Sequence, residues 1–413
     1  MTQGYRKAVR RGLPVVAVAA TAGLVVTALG SIGRDGDADT DAGPGGGAAA
    51  VEPVALPQAE VSPREAVPSA LQDLRDPAFP DPLLDANLVL PGGPPPDGIP
   101  AIDAPTFLRA QDVDFLADTE AVLALTVGEE TRAYPFQIMT WHEIVNDTVG
   151  GVPVAVTYCP LCNSGVAFDR RVDGKVLDFG TSGMLHASNL IMYDRQTESL
   201  WPQLSGEAAI GVMTGATMDE LPLSPVGWGD FRAARPDAWV LSRDTGHNRD
   251  YGRNPYVGLD RDPDRPPPFG APSEDDRLPP MERVIALQGS SETVTVVRSA
   301  VEEARVVDET VDDRPLVLLH AVGQASALDD GLVSGGRDIG TVAVFDPVVD
   351  GTTLSFGVDG AGFVDDQTGS TWNILGEATA GELAGEHLTP YPFLDTFWLS
   401  WVTFAPDTRV VHD

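Results

Sequence analysis

The hydrophobic and polar positions of this chain alternate in short runs that are separated by turn residues. Runs of this kind, with a period of two residues and Gly, Asp or Asn between them, are typical of proteins built mainly from β-strands. Regular patterning starts near Asp112. In the first part of the chain it predicts strands at 121–127, 131–134, 153–158, 166–170, 175–179, 189–193 and 200–204, with turns at 128–130 and 146–151.

Two short helices interrupt these predicted strands. Pro135 suits the first position of a helix, and the spacing of the apolar residues after it predicts a helix that carries Trp141 and His142. A second helix is predicted at 228–234, because Pro236 would end it. The predicted fold class is therefore α+β, in units that are mostly β with short helices.

The second half of the chain repeats the first. VLAL at Val122–Leu125 matches VIAL at Val284–Leu287, which sets an offset of 162 (284 − 122). At the same offset, the segment 142–153 falls on the segment 304–315. Further matches keep this order along the chain: 172–180 with 349–357, 194–201 with 365–372, and 236–237 with 406–407. We therefore predict two tandem copies of one unit, a pseudo-duplicated fold.

Composition divides the chain into five segments. A basic start followed by an uncharged run at 12–30 is typical of an export signal or of a membrane anchor. The predicted segments are 1–30, a signal peptide or membrane anchor; 31–105, a flexible spacer and lead-in rich in Gly, Ala, Pro and Asp; 106–259, the first repeat; 260–281, a Pro-rich linker; and 282–413, a second, degenerate repeat.

The charge balance argues against one class of partner. Asp and Glu number 61 against 27 Lys and Arg, a formal net charge of -34. Such a surface repels a phosphate backbone, so nucleic-acid binding is not expected. The N-terminal pattern predicts an extracytoplasmic protein, either secreted or anchored to the membrane by residues 12–30. Membrane contact is expected only through that segment, and the partner, a small molecule or a protein, is left open.

Reactive side chains concentrate between His142 and Ser164, a stretch that holds both cysteines, Cys159 and Cys162. Two thiolates in a tight loop suit zinc or copper, and His142 is the predicted third ligand. The Cys-Pro-Leu-Cys pair can also serve redox chemistry, although no helix is predicted after Cys162 to lower its thiol pKa. A disulfide that only staples the loop is the third interpretation.

The predicted duplication separates structural residues from chemical ones. Positions that are kept in both copies, two tryptophans among them, are expected to be structural. Ala304 stands opposite His142 and Ala321 opposite Cys159, so the first copy is expected to carry the site. Besides the three predicted metal ligands, the ligand-binding candidates are Arg195, Asn163, Glu143, His320 and His186, together with a polar loop at 246–251 that contains His247.

Most of these candidates have a structural alternative. Glu143 neighbours His142 on the predicted helix and so points elsewhere, as a surface carboxylate would. Arg195 suits an anionic ligand or a structural aspartate such as Asp194. His186 lies in a stretch that contains methionines and suits either a soft copper site or simple strand packing.

Several motifs together carry a family resemblance: HEIVND, TYCPLCNSG, FGTSG, NLIMYDRQTESLW and FWLSWVTFAPDT. With them the chain resembles the prokaryotic family called domain of unknown function 3179, over about residues 121–410. The resemblance implies no activity and no cofactor. It matches signature positions to His142, Cys159, Cys162, Asp194, Arg195 and Trp201, whereas His186 departs from the usual pattern.

Three classes of function fit these features. An enzyme would use a bound metal or a reactive thiolate as its centre. A metal-handling or redox module would bind or pass on a metal without turnover, and a structural or interaction protein would use Cys159 and Cys162 only as a staple. We expect an exported protein with a single metal-binding or redox Cys-x-x-Cys/His site in its first repeat. Enzymatic activity is left open.

Overall fold

A computed structural model describes residues 51–269 and 274–412. Strands make up 39% of the structure and helices 10%, so the protein is mostly β. The α-helices of the described residues are four, each of seven residues: α1 Phe136–His142, α2 Trp228–Ala234, α3 Arg298–Ala304 and α4 Trp398–Phe404. Short 3-10 helices lie at Ala86–Leu88, Ala110–Asp112 and Val333–Gly335.

The strands fall into two series along the chain. The strands of the first half are β1 Val54–Ala55, β2 Leu90–Pro91, β3 Thr106–Arg109, β4 Ala121–Val127, β5 Glu130–Pro135, β6 Ile144–Val149, β7 Val152–Cys159, β8 Ser164–Asp169, β9 Arg171–Val172, β10 Lys175–Val176, β11 Phe179–His186, β12 Asn189–Asp194, β13 Leu200–Pro202, β14 Asp219–Leu221, β15 Leu223–Gly227 and β16 Trp239–Leu241. Those of the second half are β17 Arg283–Gln288, β18 Thr293–Val297, β19 Val306–Val311, β20 Arg314–Ala321, β21 Thr341–Asp346, β22 Val348–Val349, β23 Thr352–Thr353, β24 Phe356–Asp359, β25 Gly362–Asp365, β26 Thr371–Trp372, β27 Ala378–Ala380, β28 Thr389–Pro390, β29 Leu394–Phe397 and β30 Arg409–Val411.

Three larger sheets organise the first half. One has the strand order β1-β3-β16-β5-β4-β15, the second β14-β8-β7-β6 and the third β13-β12-β11-β2. Neighbouring strands are antiparallel except β5 and β16, which run parallel. The second sheet contains the strands on either side of the cysteine loop, and the third lies next to it through the contacts of β11 with β6.

The second half places its elements in the same order. Its sheets are β29-β17-β18-β30, β19-β20-β21-β28 and β24-β25-β26-β27, and β18 pairs with β30 in parallel as β5 does with β16. Helix α3 begins and ends at the same offset of 162 from helix α1 (298 − 136 and 304 − 142). The common origin of the two halves stays a prediction.

The two halves share a hydrophobic core around the cysteines. The cluster that contains Cys159 and Cys162 also includes Trp201 of the first half and Trp398 and Trp401 of helix α4. Full burial of a large apolar side chain stabilises the fold by about 1.5–3 kcal/mol. Separation of the halves would therefore expose the surroundings of the thiols.

The predicted turn at 146–151 is confirmed only at Gly150 and Gly151, because strand β6 occupies Ile144–Val149. The polar residue Asp147 is buried within that strand, where Arg132 Nη1 and Tyr134 OH bind it at 2.5 Å and 2.6 Å. Aspartate is a residue type that favours turns. The hydrogen bonds from Arg132 and Tyr134 allow Asp147 to occupy a buried strand position instead.

Parts of the predicted spacer and linker contact the rest of the fold. Strand β1 pairs with β3, and Ala70 is fully buried. At the other predicted junction, Asp260 is buried and accepts a hydrogen bond from Ser326 Oγ at 2.6 Å. From Val51 onward the chain forms one compact unit, and the predicted segment boundaries inside it stay predictions.

Candidate functional site

The two cysteines lie in the loop that joins strands β7 and β8. Cys159 is the last residue of β7 and pairs with Ser164, the first residue of β8. Asn163 closes the loop with a positive φ of 52°, and its backbone N–H donates to the Pro160 carbonyl at 3.2 Å. Leu161 is half-buried, and the other residues of the loop are buried. The loop therefore holds both thiols beneath the surface.

The two sulfur atoms have different neighbours. Both cysteines are free, and they approach each other to 2.9 Å. The Cys162 sulfur lies 3.0 Å from Ser164 Oγ and accepts a hydrogen bond from Asn189 Nδ2 at 3.2 Å. The Cys159 sulfur accepts a hydrogen bond from the backbone N–H of Leu190 at 3.3 Å. Cys162 thus faces polar side chains, whereas Cys159 faces the backbone of strand β12.

The turn between β11 and β12 covers Cys159. Ala187 and Ser188 both have positive φ values, 51° and 61°, as a type I′ hairpin turn requires. For residues other than glycine this backbone conformation is strained, and it persists when neighbouring contacts stabilise it. The Cys159 thiol donates to the Ser188 carbonyl at 3.6 Å, and Ser400 Oγ of helix α4 donates to the Ala187 carbonyl at 2.9 Å. The second half therefore fixes this turn against the thiol.

A buried amide network supports Cys162. Gln203 Nε2 donates to Thr157 Oγ1 and to the Ser164 carbonyl, both at 3.0 Å. Gln203 Oε1 accepts hydrogen bonds from Asn189 Nδ2 at 2.9 Å and from Ser164 Oγ at 2.8 Å. All four of these polar residues are fully buried. Because the amide of Gln203 is fully bonded, it fixes the orientation of the Asn189 amide that binds the Cys162 sulfur.

The thiol pKa values move in opposite directions. Burial raises the pKa of the Cys159 thiol well above its ordinary value, and its hydrogen bond with Cys162 raises it further. Burial also raises the pKa of the Cys162 thiol, but hydrogen bonds from Cys159, Ser164 and Asn189 outweigh that effect and lower it overall. The arrangement favours a Cys162 thiolate, toward which the single S–H of Cys159 turns from the Ser188 carbonyl.

The Ser164 hydroxyl can serve both protonation states of Cys162. It has one hydrogen and lies within reach of two acceptors, Gln203 Oε1 at 2.8 Å and the Cys162 sulfur at 3.0 Å. When Cys162 is a thiol, the hydroxyl donates to Gln203 and accepts from the thiol. When Cys162 is a thiolate, the hydroxyl turns toward the sulfur, while Asn189 still donates to Gln203. The network therefore accommodates proton loss through rotation of one hydroxyl.

Glu143 is buried in the core, and its charge raises the pKa of the Cys159 thiol. It ends helix α1 with a φ of 60° and is 6% exposed. Tyr256 OH donates to its Oε1 at 3.3 Å. Burial raises the pKa of Glu143 to about 7, against the lowering effect of that hydrogen bond. The prediction of a surface carboxylate is wrong, because the left-handed backbone takes this residue out of the helical pattern on which the prediction relied.

The second half closes the cysteine loop from the opposite side. Thr396 Oγ1 and the backbone N–H of Phe397 both donate to the Cys162 carbonyl, at 2.7 Å and 3.0 Å. Asn163 Nδ2 donates to the backbone carbonyl of Asp395 at 3.1 Å. Strand β29 therefore holds the backbone of the loop in place.

The Asp395 side chain anchors strand β29 between two arginines. Arg283 donates to its two oxygens at 3.0 Å and 2.7 Å, and Arg298 Nε donates at 3.0 Å. Burial raises the pKa of Asp395, but the two guanidinium groups outweigh it, and the carboxyl pKa lies below its ordinary value. The support for the cysteine loop is thus an ionised, buried aspartate.

His142 does not join the cysteines. Its Nδ1 lies 2.7 Å from the Pro100 carbonyl and its Nε2 lies 2.6 Å from Tyr251 OH. Burial lowers the pKa of His142 to about 4. Within residues 51–269 and 274–412, no group of three or more His, Cys, Asp or Glu residues is arranged to hold a metal ion. The predicted set of His142 with both cysteines is not assembled, because both ring nitrogens are engaged elsewhere.

Arg195 follows its structural alternative, with other partners than expected. It pairs with Asp97 at 3.2 Å and with Asp103 at 2.7 Å. Asp194 instead accepts a hydrogen bond from Trp201 Nε1 at 3.0 Å. Two carboxylates already neutralise this guanidinium, which leaves it poorly suited to a further anion.

The two remaining histidine candidates are also held away from the thiols. His186 Nδ1 lies 3.3 Å from the Leu88 carbonyl, and its ring packs edge-on against Phe404. His320 Nε2 lies 3.2 Å from the Ile339 carbonyl, and its Nδ1 is buried without a partner among the described residues. Burial lowers the pKa of both imidazoles.

Sequence reasoning missed the amides of the site. Asn189 opens the motif NLIMYDRQTESLW and Gln203 lies just beyond its end, but neither amide is among the predicted candidates, although both contact the thiol environment. The matched aspartates set an offset of 171 (365 − 194), which places Gly360 opposite Asn189 and Ile374 opposite Gln203. The same comparison that singled out Cys159 could therefore have found both amides.

The predicted signal or anchor at residues 1–30 lies outside the described residues. Across the part of the chain that the structure describes, no helix is both long and apolar enough to cross a membrane. Export and extracytoplasmic location stay predictions.

Comparison with known proteins identifies the family. The family model described as "Protein of unknown function (DUF3179)" matches residues 96–408. This match covers the cysteine loop, all four described helices and strands β3 to β29. Neither the curated proteins nor the solved structures contain a match to the chain. The loop motif and the extent of the match together show that the chain belongs to the DUF3179 family.

Proposed function

We propose that this chain is a thiol–disulfide redox protein whose centre is the pair Cys159 and Cys162. One observation carries the proposal: two free thiols lie 2.9 Å apart and have opposite pKa shifts. A disulfide forms between sulfur atoms that can approach to bonding distance, and the thiolate is the attacking species. A zinc or copper site has less support, because His142 is hydrogen-bonded elsewhere.

In the first step, the Cys162 thiolate attacks one sulfur of a substrate disulfide. A sulfur–sulfur bond forms between Cys162 and the substrate, and the substrate's own disulfide bond breaks. One substrate thiolate leaves with the electron pair and takes a proton from solvent. Asn189 and Ser164 assist by stabilising the attacking thiolate.

In the second step, Cys159 resolves this mixed disulfide. Its thiol gives a proton to the Glu143 carboxylate, and its sulfur attacks Cys162. The protein disulfide forms while the second substrate thiolate leaves, so one dithiol and one disulfide exchange two electrons and two protons overall. Support for Glu143 as acceptor comes from its pKa of about 7 and its electrostatic effect on Cys159. The reverse sequence reduces a substrate.

The proposed substrate is a disulfide of a small molecule or of a protein. Disulfides persist outside the cytoplasm, which agrees with the predicted export of the chain. Leu161 is the half-buried residue of the loop, so a partner would meet the loop there. We propose no nucleic-acid partner, and membrane attachment only through the N-terminal segment.

Single cysteine variants test the two roles. After incubation with oxidised glutathione, we expect Cys159→Ser to retain a mixed disulfide on Cys162, seen as one added glutathione by mass spectrometry. Cys162→Ser should stay unmodified, because burial raises the pKa of the Cys159 thiol. The wild-type protein should lose two thiols and carry no adduct.

Three results would contradict this assignment. Equal modification of both single variants would mean that the thiols are not differentiated. A wild-type disulfide that dithiothreitol does not open in the folded protein would favour the staple. About one zinc or copper per chain in the reduced protein, absent from both cysteine variants, would favour the metal site instead.

We also propose that the two halves descend from one duplicated unit. Support comes from the caps of helices α1 and α3, where Glu143 and Arg305 have φ values of 60° and 64°. Tyr158 N–H donates to the carbonyl of the first cap residue at 2.7 Å, and His320 N–H donates to that of the second at 2.9 Å. In that case the second half retained the backbone fold but not the residues of the proposed redox site.

A further inference from the structure

Arg249 stands apart from the other arginines that the structure describes. Its Nε is buried and has no hydrogen-bond partner there, and its guanidinium forms no ion pair with a described carboxylate. Every other described arginine donates at least one hydrogen bond or forms an ion pair. Arg249 as a whole is half-buried, but a buried N–H donor such as its Nε is unfavourable without an acceptor. Arg249 is therefore a candidate for an acceptor supplied from outside.

The chain does not lack carboxylates for this arginine. Its formal net charge is -34, and Asp250 is the next residue. Asp250 pairs instead with Arg253, at 2.7 Å, on the exposed side of the loop. The unpaired state of Arg249 within the described residues therefore reflects the fold of the loop rather than a shortage of acids.

His142, His247 and Tyr251 form a ring cluster, and the last two share a loop with Arg249. The ring centroids of His142 and His247 are 5.3 Å apart, and those of His142 and Tyr251 are 5.8 Å apart. Burial lowers the pKa of His142, and the charges of His247 and Arg249 lower it further. Arg249 belongs to the same loop as His247 and Tyr251 and lies two residues from each along the chain.

The hydrogen bonds of the cluster show which donors remain. His142 Nδ1 faces the Pro100 carbonyl at 2.7 Å, so this nitrogen carries the proton and Nε2 accepts from Tyr251 OH at 2.6 Å. The Thr245 hydroxyl then donates to the Tyr251 oxygen. Tyr251 and His142 are therefore satisfied by each other, and the donors left for a ligand belong to Arg249 and to the exposed ring of His247.

We propose that Arg249 and His247 form a binding site for a small oxyanion of the carboxylate or phosphate type. A guanidinium offers two parallel N–H donors that match two oxygens of such a group. Tyr251 and His142 act as positioning residues, because their mutual hydrogen bond fixes the loop from Thr245 to Tyr251. The site is separate from the cysteine pair and does not require the redox proposal.

Direct titration of the full chain tests this site. Inorganic phosphate and acetate are titrated separately by calorimetry at low salt, and the two arms distinguish a tetrahedral oxyanion from a planar one. We expect at least one of them to bind the wild-type protein. Arg249→Gln should weaken that binding at least tenfold. Arg253→Gln is the matched control, because it removes an exposed arginine of the same loop, and it should bind within twofold of wild type.

Thermal unfolding separates a ligand site from a structural role. The bound anion should raise the Tm of wild type and of Arg253→Gln but not that of Arg249→Gln. Without anion, Arg249→Gln should unfold no earlier than wild type, since the arginine lacks partners among the described residues. Binding should persist when Cys159 and Cys162 are both replaced by serine, which keeps this test apart from the redox proposal. Failure of both anions to bind wild type, or equal binding by Arg249→Gln, would overturn the site.

Discussion

Asp194 in the first half and Asp365 in the second organise the turns that follow them in the same way. Trp201 Nε1 donates to Asp194 at 3.0 Å, and Trp372 Nε1 donates to Asp365 at 2.9 Å. The remaining contacts match as well: the N–H groups of Thr197 and Thr368 each donate at 2.6 Å, and those of Ser199 and Ser370 donate at 3.2 Å and 3.1 Å. Both halves thus use one hydrogen-bonded turn to hold a buried tryptophan.

Much of the polar core of the first half is replaced by small or apolar residues in the described part of the second. At the two matched offsets, Ala321 stands opposite Cys159, Leu319 opposite Thr157, Gly360 opposite Asn189 and Ile374 opposite Gln203. Ser164 is the exception, because the strand register gives the buried Thr341 the equivalent position. The sheet orders around these positions agree. The comparison teaches that the backbone frame does not require the thiol chemistry, which depends on a few buried side chains.

The helix caps show the same contrast at one backbone position. Glu143 and Arg305 share a left-handed conformation, but Glu143 is buried whereas Arg305 is half-buried. Arg305 Nη1 donates to the Gly360 carbonyl at 3.0 Å. One backbone conformation therefore carries a buried carboxyl in the first half and an arginine that binds a backbone carbonyl in the second.

The largest expected effect comes from Asp395→Ala, which would break the support that the second half gives to the first. The change leaves Arg283 and Arg298 buried without their acid. We expect the free energy of unfolding to fall by about 3–5 kcal/mol in urea titrations.

The matched control is Asp346→Ala, which removes the partner of the more exposed Arg314. We expect this change to cost no more than about 1 kcal/mol. Similar losses for the two variants would show that the buried ion network does not support the cysteine loop.

Glu143→Gln tests whether the two helix caps differ in how they make stability depend on pH. The folded-state pKa of Glu143 is about 7, raised by burial from 4.5. A raised pKa means that the folded protein binds the proton of Glu143 more tightly than the unfolded chain does. The contribution of Glu143 to the free energy of unfolding is therefore most favourable below about pH 4.5, and it decreases as the pH rises to about 7. The difference of two to three pKa units corresponds to about 3 kcal/mol.

Urea titrations at pH 5 and pH 8 check this expectation. The free energy of unfolding of Glu143→Gln, minus that of wild type, should be larger at pH 8 than at pH 5. Arg305→Gln, at the equivalent cap, should follow the wild-type pH dependence. A parallel pH dependence of wild type and Glu143→Gln would exclude a carboxyl with a raised pKa at this position.

Thr197→Val and Thr368→Val test whether the two turns are energetically as alike as their geometry. Each change removes hydroxyl contacts to the turn aspartate and to the neighbouring serine. We expect each variant to lose about 1–2 kcal/mol, and the two losses to agree within about 0.5 kcal/mol. Losses that differ by more would mean that the halves use the shared turn differently.

The smallest expected effect on stability is that of Cys159→Ala, which gives the first half the residue found at Ala321. Removal of one buried sulfur should cost about 1 kcal/mol. The variant should nevertheless lose all internal disulfide formation in thiol counting under oxidising glutathione. A loss of stability as large as that of Asp395→Ala would show that the thiol is chiefly a structural element.

Local patterning along the sequence was sufficient for several elements. Strand β4 at Ala121–Val127 and helix α2 at Trp228–Ala234 lie where the apolar spacing predicts them. Such periodicity reports which face of an element is buried, and that information is local. The position of the thiols is likewise local, because Cys159 and Cys162 share one tight loop.

Tertiary structure alone decided what surrounds those thiols. Asn163 meets Asp395 across 232 residues of chain, and Gln203 meets Thr157 across 46. His142 turned out to bind Tyr251 rather than a cysteine, and it does so across 109 residues. A sequence shows which side chains are reactive, but their pKa values and partners depend on burial and hydrogen bonds that exist only after distant strands have packed together.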